Sequence, residues 1–196
     1  MYQGQLFETT GPAFDAVPWN PTNVVATPVG TGTLTFTDAN NGSFNYTVNK
    51  GGSVTQTKTL VRQVFGPLPT CVFGAQPNLA LATNYEDLWW KSPAASESGW
   101  GINFNQEGDT IFATWFTYKH DNTPLWLVVT ANRTGPGVFT GDLFQTVGPP
   151  FSAIPFDPTK VAATKVGSAT FTFADGNTAS FNYTVQLSDM MFGSVA

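Results

Sequence analysis

Apolar residues recur at every second position through most of this chain and almost nowhere at the three-to-four spacing of a helix. In Thr33-Leu34-Thr35-Phe36 and Phe44-Asn45-Tyr46-Thr47-Val48, one face carries Leu34, Phe36, Phe44, Tyr46 and Val48, and the other carries Thr and Asn. Asp38-Ala39-Asn40-Asn41-Gly42, between them, has the residues of a hairpin turn. Residues 54–65 continue the alternation as a long polar strand. Farther on, Trp100, Ile102 and Phe104 alternate with Gly101, Asn103 and Asn105, while 111–118 and 125–132 are apolar on both faces. The pattern predicts an all-β protein of about ten strands, near 3–10, 30–37, 43–49, 54–65, 100–106, 110–119, 124–133, 137–147, 167–174 and 179–186. Strands apolar on both faces must be covered on both sides. That predicts one or more antiparallel meander barrels, or a sandwich.

A repeat organises these strands. Residues 4–48 align without a gap on residues 141–185, a shift of 137, and 27 of the 45 positions are identical. Overlaying the copies gives a complete unit of seven strands, running from Asn84 through a Trp-rich meander and the shared stretch to an equivalent of 54–65. The chain is therefore a permuted, incomplete repeat: 1–66 is the four-strand part of one unit, 67–83 a Pro- and Gly-rich linker, 84–186 a six-strand unit and 187–196 a tail. Two closures are open. The first four strands join the three meander strands as a permuted barrel, or 54–65 completes the later six. Either leaves three strands over, and unpaired edges predict a homodimer, with strand exchange as one form of it. The two copies are expected to sit in different environments.

Composition narrows the function classes. Charged residues are 11% of the chain and the net charge is −5, with 8 Lys and Arg spread thinly, so no basic stripe exists for a nucleic acid. No apolar run is long enough to span a membrane, and the residues after Met1 do not form a signal peptide. The single cysteine, Cys71, rules out an internal disulfide and reads as a linker thiol, an intermolecular disulfide being the alternative.

Candidate chemistry is sparse. Ser96-Glu97-Ser98-Gly99-Trp100-Gly101 lacks the first glycine of a hydrolase nucleophile elbow. His120, the only histidine, lies in a predicted turn beside Asp121, and reads as a solvated turn residue rather than the base of a triad. Asp38 with Asn40 and Asn41, Asp109 with Glu107, Asp175 with Asn177, and Glu86 with Asp87 could ligate calcium, but turn formation explains the same residues. Glu97 draws attention as a carboxylate beside an aromatic-dense strand. The most pronounced feature is the aromatic and amide concentration of the meander. Trp100, Asn103, Trp115, Tyr118 and Trp126 are the candidate contacts for a small apolar or saccharide-like ligand, and filling of the core is the competing role.

The blocks Asn84-Tyr85-Glu86-Asp87-Leu88-Trp89-Trp90, Glu97-Ser98-Gly99-Trp100-Gly101-Ile102-Asn103 and Ile111-Phe112-Ala113-Thr114-Trp115-Phe116-Thr117-Tyr118 resemble those of exported bacterial proteins that carry the block in tandem copies. The resemblance implies an extracellular or periplasmic setting and transfers no residue-level mechanism. The chain is also similar to metagenome-derived quorum-quenching proteins acting on acyl-homoserine lactones. That similarity implies a hydrolase in which a carboxylate or a calcium-activated water opens the lactone, with Glu97, Asp109 and His120 as the residues to test. A surface interaction module without a small ligand is the third class.

Overall fold

The computed structural model describes residues 1–68 and 82–187. Cys71, most of the 67–83 linker and the tail from 188 onward lie outside the described residues. The chain forms two antiparallel sheets. The first holds β1 (Tyr2–Thr10), β2 (Val25–Phe36), β3 (Asn41–Asn49) and β4 (Ser53–Val61) in the order β1-β2-β3-β4. The second holds β5 (Asp87–Trp89), β6 (Gly101–Glu107), β7 (Thr110–Tyr118), β8 (Pro124–Gly135), β9 (Val138–Val147), β10 (Ala162–Phe173) and β11 (Ala179–Val185), each paired with its neighbours in sequence. The all-β meander architecture is as the alternation predicts, with eleven strands among the described residues. Neither expected closure occurs. The first four strands keep to their own sheet, and the short strand β5 takes the edge position beside β6.

The second sheet is strongly curled. β6 and β10 stand four places apart, about 19 Å in a flat sheet, yet the rings of Phe104 and Phe171 meet with centroids 4.8 Å apart. Trp115 of β7 and Phe181 of β11, also four places apart, meet at 5.1 Å. Tyr85, just before β5, stacks on Phe173 at 3.9 Å and closes the cup. Burying such rings contributes about 2–3 kcal/mol each, and this cupped face is the main core of the molecule.

Both copies of the repeat bulge at the same place. In β10, Lys165 pairs with Phe144 and Gly167 with Leu143, so Val166 is the extra residue; in β2, Val29 is extra between Pro28 and Gly30. A Cβ on Gly167 would overlap the Thr184 carbonyl, and one on Gly30 the Thr47 carbonyl. The bulge shifts the alternation by one residue, which explains why β2 and β10 begin five residues before their expected starts. β4 ends early for another reason. Beyond Val61 the chain leaves the sheet, and the backbone N–H groups of Phe65 and Gly66 donate to the buried carboxylate of Glu107.

The sheets are joined by an exchange of loops. Loop 11–24 leaves the first sheet and docks on the second, with the Phe14 ring 5.8 Å from Trp115 and 6.3 Å from Tyr183. Phe14 N donates to Tyr118 O at 2.9 Å, and Tyr183 Oη donates to Phe14 O at 3.3 Å. Loop 148–161 makes the reciprocal crossing: Phe151 lies 6.0 Å from Tyr46, whose Oη donates toward Phe151 O at 3.1 Å and Gln56 Oε1 at 2.7 Å. Phe14 and Phe151, and Tyr46 and Tyr183, are equivalent positions of the repeat. Each tyrosine thus receives the loop of the other copy.

Replacing Gly167 by alanine should cost about 2 kcal/mol or more, because the clash is with backbone. Chemical denaturation measures it; an unchanged midpoint would refute the assigned bulge.

Candidate functional site

Alternation along β7 and β8 divides the predicted aromatic contacts between two faces. Trp115, Leu125 and Leu127 point into the cup and are buried. Their neighbours therefore point outward. On that outer face Phe116 of β7 pairs directly with Trp126 of β8, and the two side chains remain 51% and 50% exposed. Cross-strand partners lie about 5 Å apart, so the rings form one platform. The register carries the row farther: Phe116 pairs with Gly101 of β6, and the step beyond the Trp89–Ile102 pair brings Trp90 alongside Gly101. Trp90 is 72% exposed. Since Gly101 has no side chain, the row is a step of aromatic ring, gap, ring and ring across four adjacent strand positions.

Beside the Phe116–Trp126 pair lies a cleft of about 330 Å³, lined by Thr9, Gly99, Phe116, Thr117, Tyr118, Pro124, Leu125 and Trp126. Tyr118 forms its closed wall. It is buried, yet not by the cup: Trp19 of the crossed-over loop stacks on it at 6.2 Å, its hydroxyl donates to Gly99 O at 2.8 Å, and a Cβ on Gly11 would overlap its ring. Thr117 Oγ1 is buried without a hydrogen-bond partner, as is Trp115 Nε1. Thr117 pairs with the buried Leu125 and lies two residues from Trp115, so both unpaired atoms belong to the cup face of β7 and not to the outer cleft.

At the same end of the strands, a polar cluster gathers around Tyr183. Asp15 accepts from His120 Nε2, with oxygens at 2.9 and 3.1 Å, and Phe14 stacks on the imidazole at 6.1 Å. Trp100 Nε1 donates to Glu97 at 2.9 Å, and Lys91 Nζ stands 3.8 Å from the same carboxylate. Burial, then the charges of Asp15 and Glu97, push the Tyr183 phenol above its ordinary value of 10.0.

The predicted residues therefore separate. Tyr118 and Trp126 share the cleft. Trp100 is half-buried and packs against the core cluster of the cup, with its Nε1 on Glu97, and Asn103 sits on the outer face one row along, between Leu88 and Thr114. Trp115 belongs to the core. Glu97 and His120 come to one end, but Asp109 occupies the β6–β7 turn at the far end of β7, about 30 Å away, where it pairs with Arg133 at 3.1 Å. The three candidate catalytic residues do not form one group. The calcium candidates are committed elsewhere: Asp38 accepts from the N–H groups of Asn40 and Asn41 at 2.7 and 2.9 Å, Asp175 accepts from Asn177 N at 2.8 Å, and Glu107 holds the segment at Phe65. The turn hydrogen bonds hold the Asp38 and Asp175 carboxyls below their ordinary value. Among the described residues no three His, Cys, Asp or Glu side chains gather. Among the described residues no helix is long and apolar enough to cross a membrane.

Sequence reasoning missed Phe116, Asp15, Tyr183 and the covering Trp19. Phe116 was within reach, because period two sets it opposite Trp115. The other three depend on the loop exchange, which no local pattern signals. No known family model, curated protein or solved structure matches the chain.

In an ultraviolet titration, one tyrosine should ionise above the ordinary phenol range and disappear in Tyr183→Phe. Stability from the neutral phenol is present below about pH 10 and is lost as pH rises through the raised value. Asp15→Asn and Glu97→Gln should reverse only part of the shift, since burial is the larger cause. A profile unchanged by Tyr183→Phe would count against the assignment.

Proposed function

We propose that this protein is a saccharide-binding β-module of exported origin, with the ligand stacked on the Phe116–Trp126 platform beside the cleft that Tyr118 walls. The pairing of two half-exposed aromatic rings on adjacent strands beside that cleft carries the reading. A purely apolar ligand gains most from an enclosed pocket that removes it from water, and this platform is open. A sugar ring, with an apolar face to lay on a ring and hydroxyls left in water, suits it better. Trp90, beyond the gap at Gly101, extends the row and favours an oligosaccharide over a single ring. The net charge of −5 disfavours polyanions that would use the same stacking, nucleic acids included. The exported setting rests on the resemblance of the Trp-rich blocks to exported proteins.

A panel of neutral oligosaccharides, titrated against tryptophan fluorescence, tests the proposal. Saturable quenching is expected for at least one member, with affinity falling about ten-fold or more in Trp126→Ala and Phe116→Ala, the loss of one good stacking partner. The folded state should be unaffected, because both side chains are half exposed. Absence of saturation throughout the panel, or binding indifferent to both substitutions, defeats the reading.

A second reading, hydrolysis of acyl-homoserine lactones, draws on the convergence of Glu97, His120 and Asp15 on Tyr183. In that case, turnover of the lactone should fall at least a hundred-fold in Glu97→Gln or His120→Asn, the usual scale of an acid–base contribution, and should be indifferent to Asp109→Asn. An intact lactone after prolonged incubation rejects it.

A further inference from the structure

Amide and hydroxyl side chains face one another across several strand pairs of this protein. Asn45 faces Thr57 across β3 and β4, and its Nδ2 donates to the hydroxyl at 2.8 Å. Thr110 faces Asn132 across β7 and β8, and its hydroxyl donates to the amide oxygen at 3.1 Å. Asn103 faces Thr114 across β6 and β7 in the same relation. Among the described residues, however, neither of these two side chains makes a hydrogen bond. Both are drawn into the surface, Asn103 partly buried and Thr114 only 9% exposed. Partly desolvated polar groups without a protein partner are the kind that fix the orientation of a ligand.

The register sets where they lie. Gly101 precedes Asn103 by two residues on the same outward face of β6, about 7 Å along the strand. Phe116 stands directly across from Gly101 on β7, and Trp90 lies on its other side. A Cβ on Gly101 would project between those two rings, and would stand 3.2 Å from the Trp89 carbonyl. The glycine therefore leaves a seat between Trp90 and Phe116, and Asn103 forms one end of it.

We infer that Asn103 is the specificity-determining residue of the saccharide site, reading two adjacent equatorial hydroxyls of a pyranose seated over Gly101 against Phe116, with Thr114 as a second contact. This rests on the saccharide reading proposed above. A pyranose that lays its C–H face on Phe116 turns its equatorial hydroxyls outward around the rim of the sugar. Phe116 and Asn103 are diagonal neighbours, about 7–8 Å apart and within reach of long side chains, so the rim meets the amide. An amide carries one acceptor oxygen and two donor hydrogens. It accepts from one hydroxyl and donates to the next when both lie in the plane of the rim. An axial hydroxyl leaves that plane, and one of the two bonds is lost. None of the residues around the seat, Leu88, Trp90, Gly101, Asn103, Thr114 and Phe116, is charged, which suits neutral hydroxyls and not a carboxylate or sulfate.

Cellotetraose and β-1,4-linked mannotetraose test this. They share linkage and length and differ in one hydroxyl, which is equatorial beside its neighbour in the first sugar and axial in the second. Each is titrated against the tryptophan fluorescence of the whole protein. Cellotetraose is expected to bind about ten-fold more tightly, the scale of one hydrogen bond in an open site. In Asn103→Ala the preference should vanish through loss of cellotetraose affinity, with mannotetraose little changed. Asn103→Asp, which keeps the shape and loses the donors, should lose the preference too. Because Asn103 makes no hydrogen bond from its side chain within the described residues, circular dichroism and the melting midpoint of both variants should match the parent. Trp126→Ala should weaken both sugars alike, since the platform does not distinguish them. Equal affinity for the two sugars, a preference for mannotetraose, or a preference retained in both Asn103 variants overturns the inference and leaves the platform reading standing. Saturation by other neutral oligosaccharides but by neither tetrasaccharide does the same. Failure of every oligosaccharide to bind removes the platform reading and this inference together.

Discussion

Two loops, each crossing to the other copy's sheet and seated on an equivalent tyrosine, join the halves of this molecule. Tyr46 and Tyr183 occupy the same position of the repeat, and each donates to the backbone carbonyl of the phenylalanine that the other copy sends across, Phe151 and Phe14 respectively. Among the described residues the strands of the two sheets do not pack extensively on one another. What connects them is this pair of crossed loops, together with the segment after β4 that Glu107 anchors through two backbone N–H groups. Each loop carries the same devices in both copies: a short 3₁₀ turn begun by proline (Pro21–Asn23, Pro158–Lys160) and a capping side chain, Asn20 or Asp157, that accepts from the backbone two residues on. The equivalence of the devices explains how two copies can interlock with near-symmetry though their sheets differ in size.

The same crossing builds the proposed ligand surface. Loop 11–24 brings Phe14 and Asp15 against Tyr183 and His120, and its Trp19 covers Tyr118, which becomes a wall of the cleft. Without the loop, Tyr118 would lie on the outer face as open as Phe116. The curl of the second sheet does the rest. By drawing Trp115 into contact with Phe181 it consumes one face of β7 as core, and leaves Phe116 and Trp126 on the other. Core and platform are thus alternate residues of the same strands, and the ring that fills the cup cannot also meet a ligand.

The contrast between the copies shows how far identity of sequence goes. Phe36 and Phe173 are the same residue in the same register, and one is half in water while the other is inside an aromatic cluster. The difference is supplied entirely by what lies opposite: the β5–β6 region with Tyr85, Trp89 and Phe104 in the second copy, and nothing among the described residues in the first.

Much of this was written in the chain itself. Period-two alternation is a local property, since neighbouring side chains point to opposite sides of a strand whatever surrounds them, so the strands, their antiparallel meander and the duplication of 4–48 in 141–185 were legible. So was the difference in environment between the copies, because the Trp-rich meander precedes only one of them. Other features were settled by contacts between residues a hundred or more positions apart. Which face of β7 turned inward depended on the curl that joins Phe104 to Phe171. The early starts of β2 and β10 depended on bulges that only pairing reveals. The meeting of Asp15 with His120 and of Phe14 with Tyr183 depended on a loop crossing from one sheet to the other. Local sequence determines which side chains share a face. Only the tertiary structure decides which face meets a partner, because that choice is made by the burial of distant aromatic rings and not by any residue's own neighbours.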